Sequence, residues 1–118
     1  KVSDKNLSPL NGYWEIEEVL SHGETFTPRG GAVLVDLYQL DSLRGYRKKL
    51  APSFSGNYNS SEDQLNFTVI NQGGDFYIEY NEAQEPWKEK IIAVSATQLA
   101  LEHSDKVYVY KRHEKISL

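Results

Sequence analysis

Apolar and polar residues alternate along most of this chain with the period of a β-strand, and no segment carries the three-to-four-residue period of a helix. The first strong stretch is Leu10-Asn11-Gly12-Tyr13-Trp14-Glu15-Ile16-Glu17-Glu18-Val19-Leu20. It predicts a strand over about 12–20, opened by the turn pair Asn11-Gly12, with Trp14, Ile16, Glu18 and Leu20 on one face. Ser21 to Gly31 contains Pro28, Gly23, Gly30 and Gly31, which predicts a long loop rather than a helix or a regular strand. A second strand is expected over about 32–40, its apolar run broken by Asp36. Residues 41–59 read as one bent strand or two short ones, with Pro52 kept out of a central ladder. Ser60-Ser61-Glu62-Asp63 then reads as a turn.

The remainder is a regular meander. Strands are expected over about 64–71, 76–80, 87–95, 98–103 and 106–112, separated by Gln72–Asp75, Asn81–Pro86 and Ser104–Asp105. Eight strands at hairpin spacing predict an all-β fold, a single eight-stranded antiparallel up-and-down barrel. A two-sheet sandwich has the same periodicity and stays open as the alternative.

Composition narrows this picture. A length of 118 residues suits one domain. We place it at residues 10–118, behind a short flexible segment, 1–9. The formal charge of −4 gives no global signal for nucleic acid. Cysteine is absent, which excludes disulfides and thiolate chemistry but says nothing of the compartment. No apolar run is long enough for a membrane-spanning helix. Lys1-Val2-Ser3-Asp4-Lys5-Asn6 reads either as a plain polar terminus or as a tether to a signal or lipid anchor ahead of residue 1.

Candidate chemistry is sparse. His22, His103 and His113 lack metal-ligand spacing, so no metal or cofactor is expected. Neither a nucleophile elbow nor a phosphate-cradling loop occurs, and no catalytic residue is assigned. An inward Glu18 must find a partner or rim water, or else hold a ligand amine or hydroxyl, and Asp36 shares that ambiguity. Eight tyrosines enrich the strands. Alternation turns Tyr108 and Tyr110 inward, where Tyr38, Phe67, Phe76, Tyr80 and Trp87 can join them. Such a set describes the walls of a small-molecule pocket and equally the core of a filled barrel. Within the basic cluster, Arg47 and Lys49 point one way, Arg44 and Lys48 the other. The cluster is either a solvated strand that discourages edge pairing or, through its inward pair, a seat for the anionic head of an amphipathic ligand.

Gly12-x-Trp14 at the head of the first strand and Arg112 at the end of the last resemble the lipocalin fingerprint. The resemblance implies that Arg112 stacks on Trp14 and, with Gly12, closes the base of the barrel, a structural role. It also implies that the first loop partly lids the open end. Only His113 to Leu118 follow the last strand, which is similar to compact, helix-less lipocalin-like domains of small bacterial secreted proteins and lipoproteins. The expected setting is therefore extracytoplasmic, and the expected function is non-catalytic binding of a small apolar or amphipathic molecule in or at the barrel mouth. The candidate ligand-binding residues are Glu18, Tyr38, Arg47, Lys49, Phe67, Tyr80, Trp87, Tyr108 and Tyr110. Two other classes remain: a protein-interaction module with a filled barrel, and an enzyme using a cavity carboxylate such as Glu18. A cavity open at the loop end, set against a solid interior, separates them.

Overall fold

The computed structural model describes residues 7–27, 35–52, 58–81 and 85–113. Nine strands form one antiparallel sheet: β1 (Gly12–Ser21), β2 (Glu24–Phe26), β3 (Val35–Asp41), β4 (Arg44–Pro52), β5 (Tyr58–Gln72), β6 (Asp75–Tyr80), β7 (Trp87–Val94), β8 (Gln98–His103) and β9 (Lys106–Arg112). β3 to β9 pair in sequence order, and β1 pairs with both β3 and β9. Eight strands thereby close a barrel, and closure removes the unpaired edges of an open sheet. β2 is extra, a short flap on the upper half of β1. A single 3₁₀ turn, Ser8–Leu10, precedes β1. No helix of the described residues is long and apolar enough to cross a membrane.

The hairpins at His22-Gly23, Gly73-Gly74 and Ser104-Asp105 each place two successive residues at positive φ. That backbone twist matches the twist of paired strands, so these turns set register. At the base, Leu7, Leu10 and Trp14 are buried. Above them, Tyr38, Phe67, Ile78, Tyr80, Leu99 and Leu101 fill the barrel's middle. Their rings run on from Tyr38 to Phe67 (centroids 6.0 Å apart), to Tyr80 (5.9 Å) and to Trp87 (4.5 Å, stacked).

Three expectations change here. Ser21 to Gly31 is not all loop, because Ser21, Leu20 and Val19 pair with Glu24, Thr25 and Phe26. The His22-Gly23 pair makes a hairpin rather than merely ending a strand. Ser60-Ser61-Glu62-Asp63 is no turn but lies inside the fifteen-residue β5. A bulge between Lys48 and Leu50 lets β4 and β5 continue their pairing past it to Pro52 and Tyr58. Pro52 sits at the end of that ladder, where its missing N–H is tolerated. The Pro28–Gly31 part of the first loop, residues 32–34 of the second expected strand, and Phe54 to Asn57 lie outside the described residues. So do residues 1–6 of the N-terminal segment, while Leu7 is buried.

The third change concerns faces. Trp14 pairs with Arg112 and Ile16 with Tyr110, but the register then slips so that Glu18 pairs with Val109 and Val19 with Tyr108. The extra residue in β1 reverses the alternation beyond Ile16. Val19, not Glu18, therefore faces the interior.

Candidate functional site

The two ends of the barrel differ. At the base, the Arg112 guanidinium lies 3.8 Å from the centre of the Trp14 ring. Its Nη1 donates to the Asn11 carbonyl at 2.7 Å, its Nη2 to Pro9 at 2.5 Å, and its Nε to Ala96 at 3.0 Å. Trp14 Nε1 donates to the Leu10 carbonyl at 2.9 Å. One side chain thus ties the N-terminal turn and the β7–β8 turn to the barrel floor. Gly12 has φ +123°, and a Cβ there would stand 2.5 Å from Arg112 Nη1. Glycine is required on both counts.

The opposite end, where β1 joins β2 and β8 joins β9, holds a cavity of about 340 Å³. Its walls are unlike. Ile16 and Val19 from β1, with Tyr108 and Tyr110 from β9, make an apolar and aromatic side. Asp36 from β3, Arg47 and Lys49 from β4, Glu89 from β7 and His103 from β8 make a polar side. Among the described residues the lower and middle layers are packed, and this cavity lies at the mouth. A larger hollow of about 440 Å³ lies on the outer face of β4–β6, around Arg44, Asn66, Thr68, Glu79 and Asn81, and reaches past Gly45 to the Phe67 ring. Alternation turns its polar side chains away from the buried Ile78, so that hollow opens on the outer surface.

Register assembles the polar wall. Asp36 lies across from Lys49, and Tyr38 across from Arg47. Arg47 Nη2 donates to Asp36 Oδ2 at 3.2 Å. The other ion pairs are longer: Arg47 Nη1 to Glu89 Oε1 at 3.8 Å, and Lys49 Nζ to Asp36 Oδ1 at 3.7 Å. Arg47, Asp36 and Glu89 are nearly buried, whereas the Lys49 side chain is 58% exposed. Burial raises the Glu89 carboxyl above its usual range, against the pull of Arg47 and His103. Burial, then the Glu89 charge, pushes the Tyr80 hydroxyl up to about 12. Burial likewise raises Tyr38 and Tyr110. Five buried polar atoms in this cluster make no short hydrogen bond among the described residues, namely Asp36 Oδ1, Arg47 Nε, Glu89 Oε1, Tyr38 Oη and Tyr80 Oη, although Tyr80 lies close enough to Glu89, Arg47 and Tyr38 for weaker hydrogen bonds to them.

Of the nine candidates from the sequence, Arg47, Lys49, Tyr108 and Tyr110 line the cavity. Tyr38 and Tyr80 stand behind the polar wall, with the Arg47 guanidinium 5.5 Å from the Tyr38 ring centre. Phe67 and Trp87 are not among its lining residues; each packs against Tyr80 in the row of rings. Glu18 is excluded by the bulge in β1. Arg47 and Lys49 each have a carboxylate within 4 Å: Asp36 for both, and Glu89 for Arg47. Sequence reasoning missed Glu89 and His103, although alternation puts Glu89 on the face of Ile91, and His103 on that of Leu99 and Leu101. Among the described residues no group of three His, Cys, Asp or Glu side chains is placed to hold a metal ion.

No family model matches the sequence, and no curated protein matches it. Solved structures do resemble the fold. A lipocalin-like protein from Bacteroides uniformis superposes with a TM-score of 0.53 at 11% identity, over 90% of this chain and 100% of that one. An uncharacterized protein from Bacteroides eggerthii gives 0.53 at 10% identity, over 87% of this chain and 98% of the other. Identities this low carry the fold alone, and the closed eight-stranded barrel of this chain is lipocalin-like.

Proposed function

We propose that this protein binds a small amphipathic molecule, without chemical conversion, in the cavity at the barrel mouth. The observation that carries this reading is the sidedness of the cavity: an apolar wall from β1 and β9 faces a charged wall from β3, β4, β7 and β8. Ligand sites are commonly concave and mostly apolar, with a few polar groups that fix orientation. A barrel filled to the top would instead favour a protein-docking role. An extracytoplasmic setting belongs to the same proposal and rests on the resemblance to compact barrels of bacterial secreted proteins and lipoproteins. Fractionation of cells expressing the gene at its natural level tests that part.

Binding is tested with Nile red, a neutral dye that brightens in apolar surroundings, titrated into the parent and into Val19→Trp. Val19 lines the cavity without belonging to the buried core, so an indole there fills the mouth and leaves the base alone. The parent is expected to give a saturable signal at one site per chain, and Val19→Trp to lose at least about tenfold in affinity. A dye signal that does not saturate, or that is the same in both proteins, overturns the reading.

A further inference from the structure

The polar wall also specifies what kind of head group the cavity takes. Asp36 and Glu89 supply two negative charges, Arg47 and Lys49 two positive ones, and all four lie within 4 Å of an opposite partner. Among the described residues these four charges balance, with His103 beside them. A carboxylate or ammonium head would add an uncompensated charge beside side chains that are nearly buried, where unpaired charge is most costly.

Hydrogen bonding points the same way. Among the described residues the side chains lining the polar wall are of both kinds: the Asp36 and Glu89 carboxylates accept and the Arg47 guanidinium donates. A carboxylate brings only acceptors and an ammonium only donors. Hydroxyl groups bring both from a single atom, and neighbouring hydroxyls bring several. The long ion pairs, at 3.7 and 3.8 Å, are contacts that a hydroxyl can bridge without breaking a short hydrogen bond.

Building on the binding reading above, we infer that the ligand has a neutral head bearing two or more hydroxyls, of the alkyl-glycerol or sugar-ether class, joined to a short apolar body. The head lies on Asp36, Arg47 and Glu89, and the body lies against Ile16, Val19 and Tyr108. At ~30 Å³ for each water-sized group, the cavity of about 340 Å³ holds roughly eleven such groups. A glycerol head with a medium chain fills that space and leaves its tail end at the mouth.

The test is displacement of Nile red at about pH 8, above the ordinary range of histidine, by 1-O-octylglycerol, octanoate and octylammonium, each below its aggregation threshold. The neutral ether is expected to displace the dye at a concentration at least about tenfold lower than either charged analogue. In Glu89→Gln, checked for native circular dichroism, the wall carries one net positive charge. Octanoate should then gain at least about tenfold relative to the ether, and octylammonium should fall further behind. Octanoate or octylammonium matching the ether on the parent overturns the inference and leaves the binding reading intact. So does dye binding that octylglycerol fails to displace. A ranking unmoved by Glu89→Gln overturns the charge-balance argument and the inference with it. Absence of saturable dye binding overturns the binding reading itself.

Discussion

Replacing Arg112 with alanine should destabilise the barrel without touching the mouth. The side chain makes two short, partly buried bonds, to the carbonyls of Asn11 and Pro9, and a third to Ala96 that is more exposed. Hydrogen bonds from a charged donor contribute about 1.5–3 kcal/mol each where they are sheltered. Stacking over a buried indole contributes roughly 0.5–2 kcal/mol. Trp14 is fully buried and the guanidinium sits 3.8 Å from its ring centre, so the stacking belongs in the upper part of that range. The total is less than additive, because water reaches the freed carbonyls once the side chain is gone. We expect a loss of about 2–4 kcal/mol, a large share of the roughly 5–15 kcal/mol that holds a domain together. At about 4 °C per kcal/mol for a chain of this size, the melting point should fall by roughly 8–16 °C. The assay is urea denaturation followed by tryptophan fluorescence and, independently, by far-ultraviolet circular dichroism. Arg112→Lys keeps the charge over Trp14 but cannot reach three carbonyls at once, so its midpoint should lie between those of the parent and the alanine variant. A midpoint for Arg112→Ala that coincides with the parent's refutes the closure. A lysine variant as stable as the parent refutes the role given to the fork of hydrogen bonds.

Gly45→Ala should cost about 2–4 kcal/mol in the same urea assay, because overpacked sites relax only by moving backbone. A Cβ there would stand 2.0 Å from the Gln39 carbonyl oxygen, and an unchanged midpoint would refute the β3–β4 packing. Glu89→Gln tests the buried carboxylate by stability against pH. Its folded-state value is raised above that of an ordinary glutamate, chiefly by burial, with Arg47, His103 and Tyr80 lowering it and Asp36 raising it. The folded state therefore holds that proton more tightly than the unfolded one, and the ionised form is the costly one above the folded-state value. Glutamine should match or exceed the parent at high pH, and the parent should gain on the variant as pH falls through that raised value. A parent that instead loses ground to Glu89→Gln on acidification contradicts the shift.

Much of the barrel was legible because alternation and turn chemistry agree. Phe76, Ile78 and Tyr80 share one face between two turns, and β8 and β9 begin and end where the sequence places them. What failed was count within a strand. One bulged residue near Glu17 sends Glu18 outward and Val19 inward, and the only trace in the sequence is that two acidic residues stand together where alternation calls for one apolar. The polar run Ser60 to Asp63 resembles a turn, yet it lies inside β5, where Ser61 to Asp63 form a bulge opposite Lys49 and pairing with β4 resumes at Ser60. The site was half legible for a different reason. Inward tyrosines and Arg47 follow from alternation, but the pairing of Arg47 with Asp36 and Glu89 depends on the register of the β3–β4 hairpin and on β7, far along the chain.

That pairing also bears on why the mouth is built as it is. Buried polar atoms without hydrogen bonds cost stability, and a buried ion pair is often no better than apolar residues of similar size. If stability alone had shaped this end, the tyrosines and leucines of the middle layer would continue upward and close it. Instead, on the side of β3, β4 and β7 the Tyr38 and Tyr80 hydroxyls meet a charged wall of Asp36, Arg47 and Glu89 that is, among the described residues, short of close hydrogen bonds. The base offsets part of that deficit, since Trp14 and Arg112 tie the start of β1 to the end of β9. On the binding reading proposed above, polar groups kept at the mouth are worth more to a ligand that completes them than to the fold that carries them.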